Sequence, residues 1–388
     1  MKERSTGKLW LPLMAACLLM MGIFSLSVST KAADNDSSAP EIPGLTFQSE
    51  MQNEFAECFH IYYYNDDYTL IDVPDSGQFL LVPEGKSAPD GLDEDIVVLQ
   101  KPLDNIYLAA TSAMSLFSSL DALDDIKFSS LQASGWYVDA AKQAMENGDI
   151  VFAGKYSEPD YELLVNSGCN LAIESTMILH TPKVQEMIEQ MGIPVFTDHS
   201  SYENHPLGRT EWIKVYAEMV DKRDEAKEFF DEQAKIISDL KDFKNTEKTV
   251  AFFYINTDGS VVVRKPSDYV PKMIEIAGGR YVPTQVDSEE ETKRSSVPMT
   301  MEEFYTQAID ADYLVYNGTI DDPINSVDDL LQKSELFADF KAVKEGNVWC
   351  AGKYLYQATD IVGNMITDIH LMLTGGDASQ MTFMTKID

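Results

Sequence analysis

Cysteine is scarce in this chain, which has only four cysteines among 388 residues. One of them, Cys17, lies in an apolar run near the N-terminus. The remaining three, Cys58, Cys169 and Cys350, are too few and odd in number for a disulfide framework. At most one pair can form, and buried free thiols are the simpler interpretation.

Histidine is almost as scarce, with five in the whole chain. His199 and His205 lie six residues apart in one polar stretch. Zinc sites commonly combine several imidazoles or thiolates in close proximity. With so few histidines elsewhere, the sequence disfavours a bare metal-ion site, and we predict no metal ligands.

Motifs for catalysis are missing as well. No G-x-S-x-G nucleophile turn and no glycine-rich phosphate loop of the Walker type occur. A carboxylate pair for glycoside cleavage could be chosen anywhere among 64 acidic residues, so it has no specificity. We predict no catalytic residue, no cofactor and no enzymatic activity.

Positive charge is in short supply. The chain has 30 lysines and arginines against 64 acidic residues, a net charge of −34. A surface of this kind repels nucleic acid and anionic membranes. The acidic residues are spread along the chain, which indicates a solubility property, and a nucleic-acid partner is excluded.

The N-terminus has the pattern of an export signal. Three basic residues, Lys2, Arg4 and Lys8, precede an apolar run over residues 9–28. Small residues then permit cleavage after Ala32, so residues 1–33 form a predicted signal peptide. Lipidation of Cys17 and an uncleaved anchor are the alternatives. We therefore expect an exported protein at the cell surface, either free or tethered to the membrane.

The rest of the chain divides by its hydrophobic pattern. Residues 34–100 are predicted to form a polar linker and a small β-rich extension, with the β-prone segments FHIYYYN, YTLIDV and QFLLVPEG. Strand and helix patterns alternate over 101–222 and again over 247–388. A long helical stretch, interrupted near Asp221, connects them through residues 223–246. These patterns predict an α/β protein with two similar lobes, parallel sheets and one rigid connecting helix, with a ligand cleft between the lobes.

Four segments, in this order and spacing, resemble one family. They are SEPDYELLVNSGCNLAIEST, IEQMGIPVF, MIEIAGGRYV and FKAVKEGNVWCAG. The resemblance is to the substrate-binding proteins of ABC importers for iron-siderophores, haem or cobalamin, and it covers about residues 101–375. It implies a protein that captures a ligand between two lobes and delivers it to a membrane permease.

The resemblance also implies a glutamate on each lobe that contacts the permease. The matching positions are Glu162 in DYELL and Glu302 in TMEEF, with Glu303 as a substitute for Glu302. Each glutamate opens a helix, where a carboxylate is also favoured by the helix dipole. Stabilisation of the helix start is therefore the alternative role.

Candidate ligand-binding residues lie where predicted strands end. The stretch HSSYENHPLGRTEW, residues 199–212, follows the strand IPVFTD and contains Tyr202, His205 and Arg209. An arginine can bind carboxylate or catecholate oxygens in bidentate fashion, and aromatic rings can stack on a planar ligand. The predicted ligand-binding residues are Trp136, Tyr156, Tyr202, His205, Arg209, Tyr254, Arg264, Arg280 and Tyr354. Further strand-end candidates are Thr111, Ser112, Ser175, Thr176, Arg294 and Tyr356.

A ferric siderophore is the first expected ligand, because several arginines in so acidic a chain suit an anionic chelate. Haem or a corrinoid is the alternative within the same class. The sequence also leaves open a metal-ion binder and a surface ligand sensor without transport.

Overall fold

The computed structural model describes residues 39–240, 245–286 and 295–388. The predicted signal peptide, Cys17 and Arg294 lie outside these residues, as do the start of the linker and residues 241–244 of the connecting segment. Residues Ala39–Asp388 form one compact unit.

The N-terminal extension is a five-stranded sheet. Its strands are β1 (Phe47–Glu50), β2 (His60–Tyr64), β3 (Thr69–Val73), β4 (Gly77–Val82) and β5 (Ile96–Gln100), and they lie side by side in chain order. Neighbouring strands are antiparallel, except that β5 runs parallel to β4. Ile61, Ile71 and Phe79 on one face are buried in the main core of the protein. The sheet is therefore packed as part of the body of the molecule.

The first lobe is built on a parallel sheet. Its strands are β6 (Ile106–Leu108), β7 (Ile126–Ser129), β8 (Val151–Phe152), β11 (Leu171–Ser175) and β12 (Val195–Asp198), and a small hairpin joins β9 (Gly154–Lys155) to β10 (Glu158–Pro159). Its helices are α1 (Met114–Ser119), α2 (Asp139–Asn147), α3 (Tyr161–Asn166) and α4 (Pro182–Gln190). The strand order is β12-β11-β6-β7-β8. This order reverses between β6 and β11, and ligands of open α/β sheets bind at such a switch point.

Three helices follow the first sheet: α5 (Pro206–Glu211), α6 (Ile213–Met219) and α7 (Arg223–Asp239). The predicted break near Asp221 is present, and Asp221 takes a positive φ of 59° there. The buried residues of α7 are spaced three and four apart, at Ala226, Phe230, Gln233 and Ile237. This single face packs the connecting helix against the core.

The second lobe has a seven-stranded sheet. Its strands are β13 (Thr249–Ile255), β14 (Val261–Arg264), β15 (Arg280–Val282), β16 (Ser296–Met299), β17 (Tyr313–Asn317), β18 (Val348–Ala351) and β19 (Met384–Ile387). Its helices are α8 (Tyr269–Ile276), α9 (Met301–Ala308), α10 (Val327–Lys333), α11 (Lys341–Lys344), α12 (Tyr354–Gln357) and α13 (Val362–Thr374). The strand order is β16-β14-β13-β17-β18-β19, with β15 beside β13. The centre is parallel, whereas β14, β16 and β19 pair antiparallel.

The two lobes are in contact through buried apolar side chains. One continuous apolar cluster contains residues of the N-terminal sheet and of both lobes. Direct hydrogen bonds also cross between the lobes: the Gln357 side chain donates to Gly135 O at 2.8 Å and accepts from Tyr137 N at 2.7 Å. The Thr210 hydroxyl donates to Thr359 O at 2.8 Å. These contacts join the two lobes directly.

Glu174 is a polar exception inside the first lobe. It lies on β11, is 0% exposed, and neither carboxyl oxygen has a hydrogen-bond partner among the described residues. Burial raises the pKa of the Glu174 carboxyl to about 8. Burial and the neighbouring Glu174 also raise the pKa of Tyr107 and of Tyr161. The carboxyl is therefore held in its protonated form at neutral pH.

Replacing Glu174 by glutamine should remove a pH-dependent loss of stability. A glutamate ionises near pH 4.5 in the unfolded chain and near 8 in the folded protein, so the folded state binds the extra proton in this window. The free energy of unfolding of the wild type should then fall by about 1.4 kcal/mol per pH unit relative to the variant as pH rises through this window. Urea unfolding at several pH values measures the difference.

The exposed Glu162→Gln variant is the control, because it should follow the wild type at every pH. Parallel stability curves for Glu174→Gln and wild type would contradict a protonated, buried Glu174.

Candidate ligand cleft

An open pocket of about 340 Å³ lies where the carboxyl ends of β6, β11 and β12 face the second lobe. Its position is the one that the switch point of the first sheet predicts. The lining residues are Thr111, Ser112, Ser175, Thr176, Met177, His180, Asp198, Ser200, Ser201, Tyr202, Arg209, Arg264, Tyr269, Ser295, Ser296 and Tyr356. We call this pocket the ligand cleft.

Arg209 enters the ligand cleft from α5. Its side chain is held over the ring of Tyr269, with 4.1 Å between the guanidinium carbon and the ring centroid. Arg209 is only 9% exposed, and its Nε has no hydrogen-bond partner among the described residues. A buried donor without a partner is uncommon in proteins. Arg209 is therefore available to an acceptor that enters the cleft.

Arg264 reaches the same place from β14 of the second lobe. Its Nη1 donates to the Ser295 hydroxyl at 3.0 Å and lies 3.8 Å from a carboxyl oxygen of Asp268. Burial raises the pKa of Asp268, and the charge of Arg264 opposes that shift. The guanidinium of Arg264 is 5.7 Å from the Tyr269 ring centroid. One tyrosine ring thus lies beside two arginines that come from different lobes.

The remaining polar groups of the cleft are mostly hydroxyls. Eight serines and threonines line it, and Ser200 is 1% exposed with a hydroxyl that has no partner among the described residues. Asp198 is the one carboxylate among the described residues of the lining, and its oxygens accept from Ser200 N, Ser112 Oγ and Tyr216 OH at 2.5, 3.2 and 2.9 Å. The carboxylate of Asp198 already has its hydrogen-bond partners. The remaining donors that line the cleft can therefore bind hydrogen-bond acceptors and negatively charged groups.

Two glutamates of the stretch HSSYENHPLGRTEW, Glu203 and Glu211, have a structural role. The Glu211 carboxylate accepts backbone N–H groups from Glu54, Phe55 and Ala56 at 2.8–3.2 Å. Glu203 accepts the next two, from Glu57 and Cys58, at 2.9 and 3.0 Å. Five consecutive backbone amides of the N-terminal extension therefore donate hydrogen bonds to two buried carboxylates.

Further contacts support this anchor. The Trp212 indole donates to Glu203 at 2.9 Å and Lys214 donates to Glu211 at 2.6 Å. A Cβ on Gly208 would lie 3.0 Å from Phe55 O and 3.1 Å from a Glu203 carboxyl oxygen, so a larger residue would force these neighbours to shift. Burial raises the pKa of Glu203, and the donated hydrogen bonds oppose that shift. We call residues 54–58 with Glu203 and Glu211 the carboxylate anchor.

His205 belongs to the anchor side and does not line the ligand cleft. Its ring stacks on Phe55 with 4.5 Å between centroids, and its Nδ1 accepts from Leu207 N at the start of α5. Burial and then the charge of Lys272 lower the pKa of His205 to about 4, with Glu211 opposing them. The ring is therefore neutral at physiological pH.

Of the other residues predicted to bind ligand, Tyr202, Arg209 and Arg264 meet in the cleft, and five lie elsewhere. Trp136 is buried and donates to Ser129 Oγ. Tyr156 packs against an apolar cluster of the first lobe that includes Tyr107 and Leu164. Tyr254 packs against the second-lobe core, and Tyr354 stacks on Phe383 at 5.3 Å. Arg280 is exposed and pairs with Glu247 at 3.1 Å.

Several cleft residues give no clear signal in the sequence. Tyr269 follows Asp268, whose carboxylate caps α8, so the pattern identifies a helix start and not a ring between two arginines. Ser296 opens the edge strand β16 and Ser295 directly precedes it, and the periodicity does not reveal this strand. Met177 and His180 lie on a short helical turn after β11.

The described residues hold neither a metal cluster nor a membrane-spanning helix. Within residues 39–240, 245–286 and 295–388, no group of three or more histidine, cysteine or acidic side chains is placed to hold a metal ion. Across the same ranges, no helix is both long and apolar enough to cross a bilayer.

Two α/β lobes, a connecting helix and a cleft between them define a two-lobed solute-binding protein. The sequence matches the periplasmic binding protein family over residues 120–355, and the chain belongs to that family. The match begins after the N-terminal sheet.

Two uncharacterized lipoproteins of Methanocaldococcus jannaschii are similar in sequence. One is 21% identical over 392 residues and the alignment covers 91% of each chain. The other is 25% identical over 341 residues, covering 83% of this chain and 84% of the relative.

Solved structures share the fold at low identity. The periplasmic haem-binding protein HutB of Vibrio cholerae is 14% identical, with a TM-score of 0.56 over 69% of this chain and 98% of that one. The petrobactin-binding protein YclQ of Bacillus subtilis is 16% identical, with a TM-score of 0.55 over 70% and 92%.

Removing the carboxylate anchor should destabilise the whole protein. Glu211→Ala leaves three backbone N–H groups, of which that of Ala56 is buried, and Lys214 without their acceptor. This loss should lower the free energy of unfolding by about 3–5 kcal/mol. Urea unfolding measures this loss, and limited proteolysis should show earlier cleavage near residues 54–58.

The control is Glu228→Ala, an exposed glutamate within α7, which should change stability by less than about 0.5 kcal/mol. A change equally small for Glu211→Ala would show that the anchor contributes little.

Proposed function

We propose that this periplasmic binding protein serves an ABC importer and captures an anionic chelate of the iron-siderophore type in the ligand cleft. The observation that carries this proposal is the pair Arg209 and Arg264, which come from different lobes and line the same hydroxyl-rich opening beside the Tyr269 ring. An acidic chain gains a local positive site there, and that site can draw in an anion.

The chemistry of the lining favours oxygen-rich ligands. Guanidinium groups bind carboxylates and catecholates through paired hydrogen bonds, and the serine and threonine hydroxyls add further donors. A volume of about 340 Å³ is at the lower end for small-molecule sites. The cleft is open, so a larger chelate would extend out past its rim.

Haem is the second candidate, for one specific reason. Met177, Tyr202, Tyr269 and Tyr356 give the cleft apolar and aromatic surface beside the arginines, and His180 is close by. A planar ring that carries carboxylates could use both kinds of surface. In either case the role is binding and delivery, with no catalytic step.

The location that fits this role is the outer side of the cell membrane. The two similar proteins of Methanocaldococcus jannaschii are lipoproteins by name. That likeness favours the tethered form, in which Cys17 after Leu13-Met14-Ala15-Ala16 carries a lipid. The anchored chain would then diffuse along the membrane beside its permease.

Contact with the permease is assigned to Glu162 and Glu302. Both are exposed, on α3 of the first lobe and α9 of the second. The Glu303 carboxylate is already hydrogen-bonded. It accepts from Thr300 N at 2.7 Å and from the Thr300 hydroxyl at 2.9 Å in a capping box. These bonds favour Glu302 over Glu303 as the contact residue.

Calorimetric titration with a panel of ferric siderophores, haem and cobalamin tests the ligand class. We expect saturable binding of an anionic member of the panel. Arg209→Ala should weaken it by about 1–3 kcal/mol, because a charge-assisted hydrogen bond is lost. Arg280→Ala, which removes an exposed arginine outside the cleft, is the matched control and should bind like the wild type. Equal affinity for Arg209→Ala and wild type would overturn the anionic cleft.

The double variant Glu162→Ala, Glu302→Ala tests delivery separately from capture. Ligand affinity should remain that of the wild type, and uptake by cells that carry the matching permease should be lost. Glu146→Ala with Glu345→Ala, exposed residues of the same two lobes, should leave uptake intact. Reduced ligand affinity in the Glu162, Glu302 variant would refute the docking assignment.

A further inference from the structure

Asp268 is a buried carboxylate next to the two arginines of the ligand cleft. It is 7% exposed, and its Oδ2 lies 3.8 Å from Arg264 Nη1. Burial raises the pKa of the Asp268 carboxyl, whereas the charges of Arg264 and Arg209 oppose that shift. Each arginine therefore favours the ionised form of this carboxyl, although the two arginines come from different lobes.

The fold holds this carboxylate in a fixed position. Asp268 caps helix α8, where its Oδ1 accepts from Val270 N at 3.0 Å. It follows Arg264, the last residue of β14, by four positions, and Tyr269 is the first residue of α8. The short segment 264–269 therefore supplies one arginine of the cleft, the carboxylate beside it and the ring next to both arginines.

Two guanidinium groups beside one ring require a counter-charge when the cleft is empty. The side chains of Arg209 and Arg264 are both largely buried. Like charges that are largely removed from water repel each other, and a buried charge is costly unless it is paired. The carboxylate of Asp268 reduces that repulsion. The same negative charge repels an anion that enters the cleft, so a group that stabilises the empty protein weakens the capture of an anion.

Asp198, the carboxylate that lines the cleft, has a different environment. Its oxygens accept from three donors of the first lobe at 2.5–3.2 Å. Asp268 uses one oxygen to cap α8, and its other oxygen faces Arg264. Asp198 therefore organises hydroxyl and backbone donors within one lobe, whereas Asp268 is placed to balance the charge of the arginines.

We propose that Asp268 sets the affinity of the ligand cleft, because it is the counter-ion of Arg209 and Arg264 with which an anionic ligand competes. An entering anion accepts from donors that remain available, such as Arg209 Nε, and is repelled by Asp268 at the same time. A binding protein also has to release its ligand to the permease, and a residue that weakens capture favours release. This inference rests on the proposed function and adds to it a residue that determines affinity.

Variants that remove the charge of Asp268 and keep the helix cap test this role. Asp268→Asn and Asp268→Ser both retain an oxygen that can cap α8. In calorimetric titration, the trianionic ferric complex of a tricatecholate siderophore should bind each variant about tenfold more tightly than it binds the wild type, because the arginines are no longer balanced. The neutral ferric complex of a trihydroxamate siderophore is the matched probe, and it should bind the variants no more tightly than the wild type.

Asp160→Asn is the matched control variant. Asp160 is exposed and caps α3 by accepting from Leu163 N at 3.0 Å, so the substitution removes the same charge from a helix cap outside the cleft. Its affinity for the tricatecholate complex should equal that of the wild type. In an Arg264→Gln background, Asp268→Asn should bring a smaller gain, since the pair that it disrupts is already broken.

The stability of the empty protein gives a second measurement. Urea unfolding should show a lower midpoint for Asp268→Asn than for the wild type, because the two buried arginines lose their counter-charge. A merely structural residue would lower stability and affinity together when it is replaced. A counter-ion instead gives lower stability and higher affinity for the anion, so the two measurements should change in opposite directions.

The outcomes separate this inference from the proposed function. If neither Asp268 variant binds the tricatecholate complex more tightly than the wild type, while Arg209→Ala still weakens binding, the counter-ion role is overturned and the anionic cleft stands. An equal gain for the neutral trihydroxamate complex would also overturn it. If the tricatecholate complex binds neither the wild type nor the variants, the anionic cleft loses its support and the role of Asp268 falls with it.

Discussion

The rest of the structure depends on two buried carboxylates that accept the backbone of a distant segment. Glu203 and Glu211 take up five successive amides from residues 54–58, which would otherwise be unpaired where the N-terminal sheet meets the first lobe. Burying a carboxylate is costly unless several donors surround it, and here the donors are supplied by fixed backbone. The same short helix that carries Glu211 carries Arg209. The anchor and the proposed ligand-binding arginine are therefore positioned together.

The arginines of the cleft show how a very acidic protein can present a positive site. Net charge is set by the surface, but the local potential is set by the few charges that are buried near one opening. Arg209 and Arg264 lose much of their hydration there, and the face of Tyr269 and the carboxylate of Asp268 replace part of it. The replacement is incomplete at Arg209, whose Nε has no partner among the described residues. The proposal of an anionic ligand rests on that unpaired donor.

Much of this architecture can be predicted from the sequence, because repeated strand and helix periods carry it. The strands NLAIEST and IPVFTD, the connecting helix and the terminal helix follow directly from their apolar spacing. The edge strands β16 and β19 are short and partly exposed, so they have no strong period. Of the candidate site, Arg264 is recognisable as a basic residue at a strand end, and Arg209 as the arginine that begins the helix after the strand IPVFTD. The role of Glu203 and Glu211 is not, since their partners are backbone amides about 150 positions away, and backbone donors carry no residue-type signal.

The apolar cluster shared by the N-terminal sheet and both lobes has a thermodynamic consequence. Elements that share one core cannot melt one after another without exposing each other's buried surface, so the chain from residue 39 onward should behave as a single cooperative unit. Opening of the cleft is then a fluctuation within an intact body, distinct from partial unfolding of one lobe. A ligand that contacts only a few side chains of the cleft would then stabilise every amide of that unit against global unfolding by the same binding free energy.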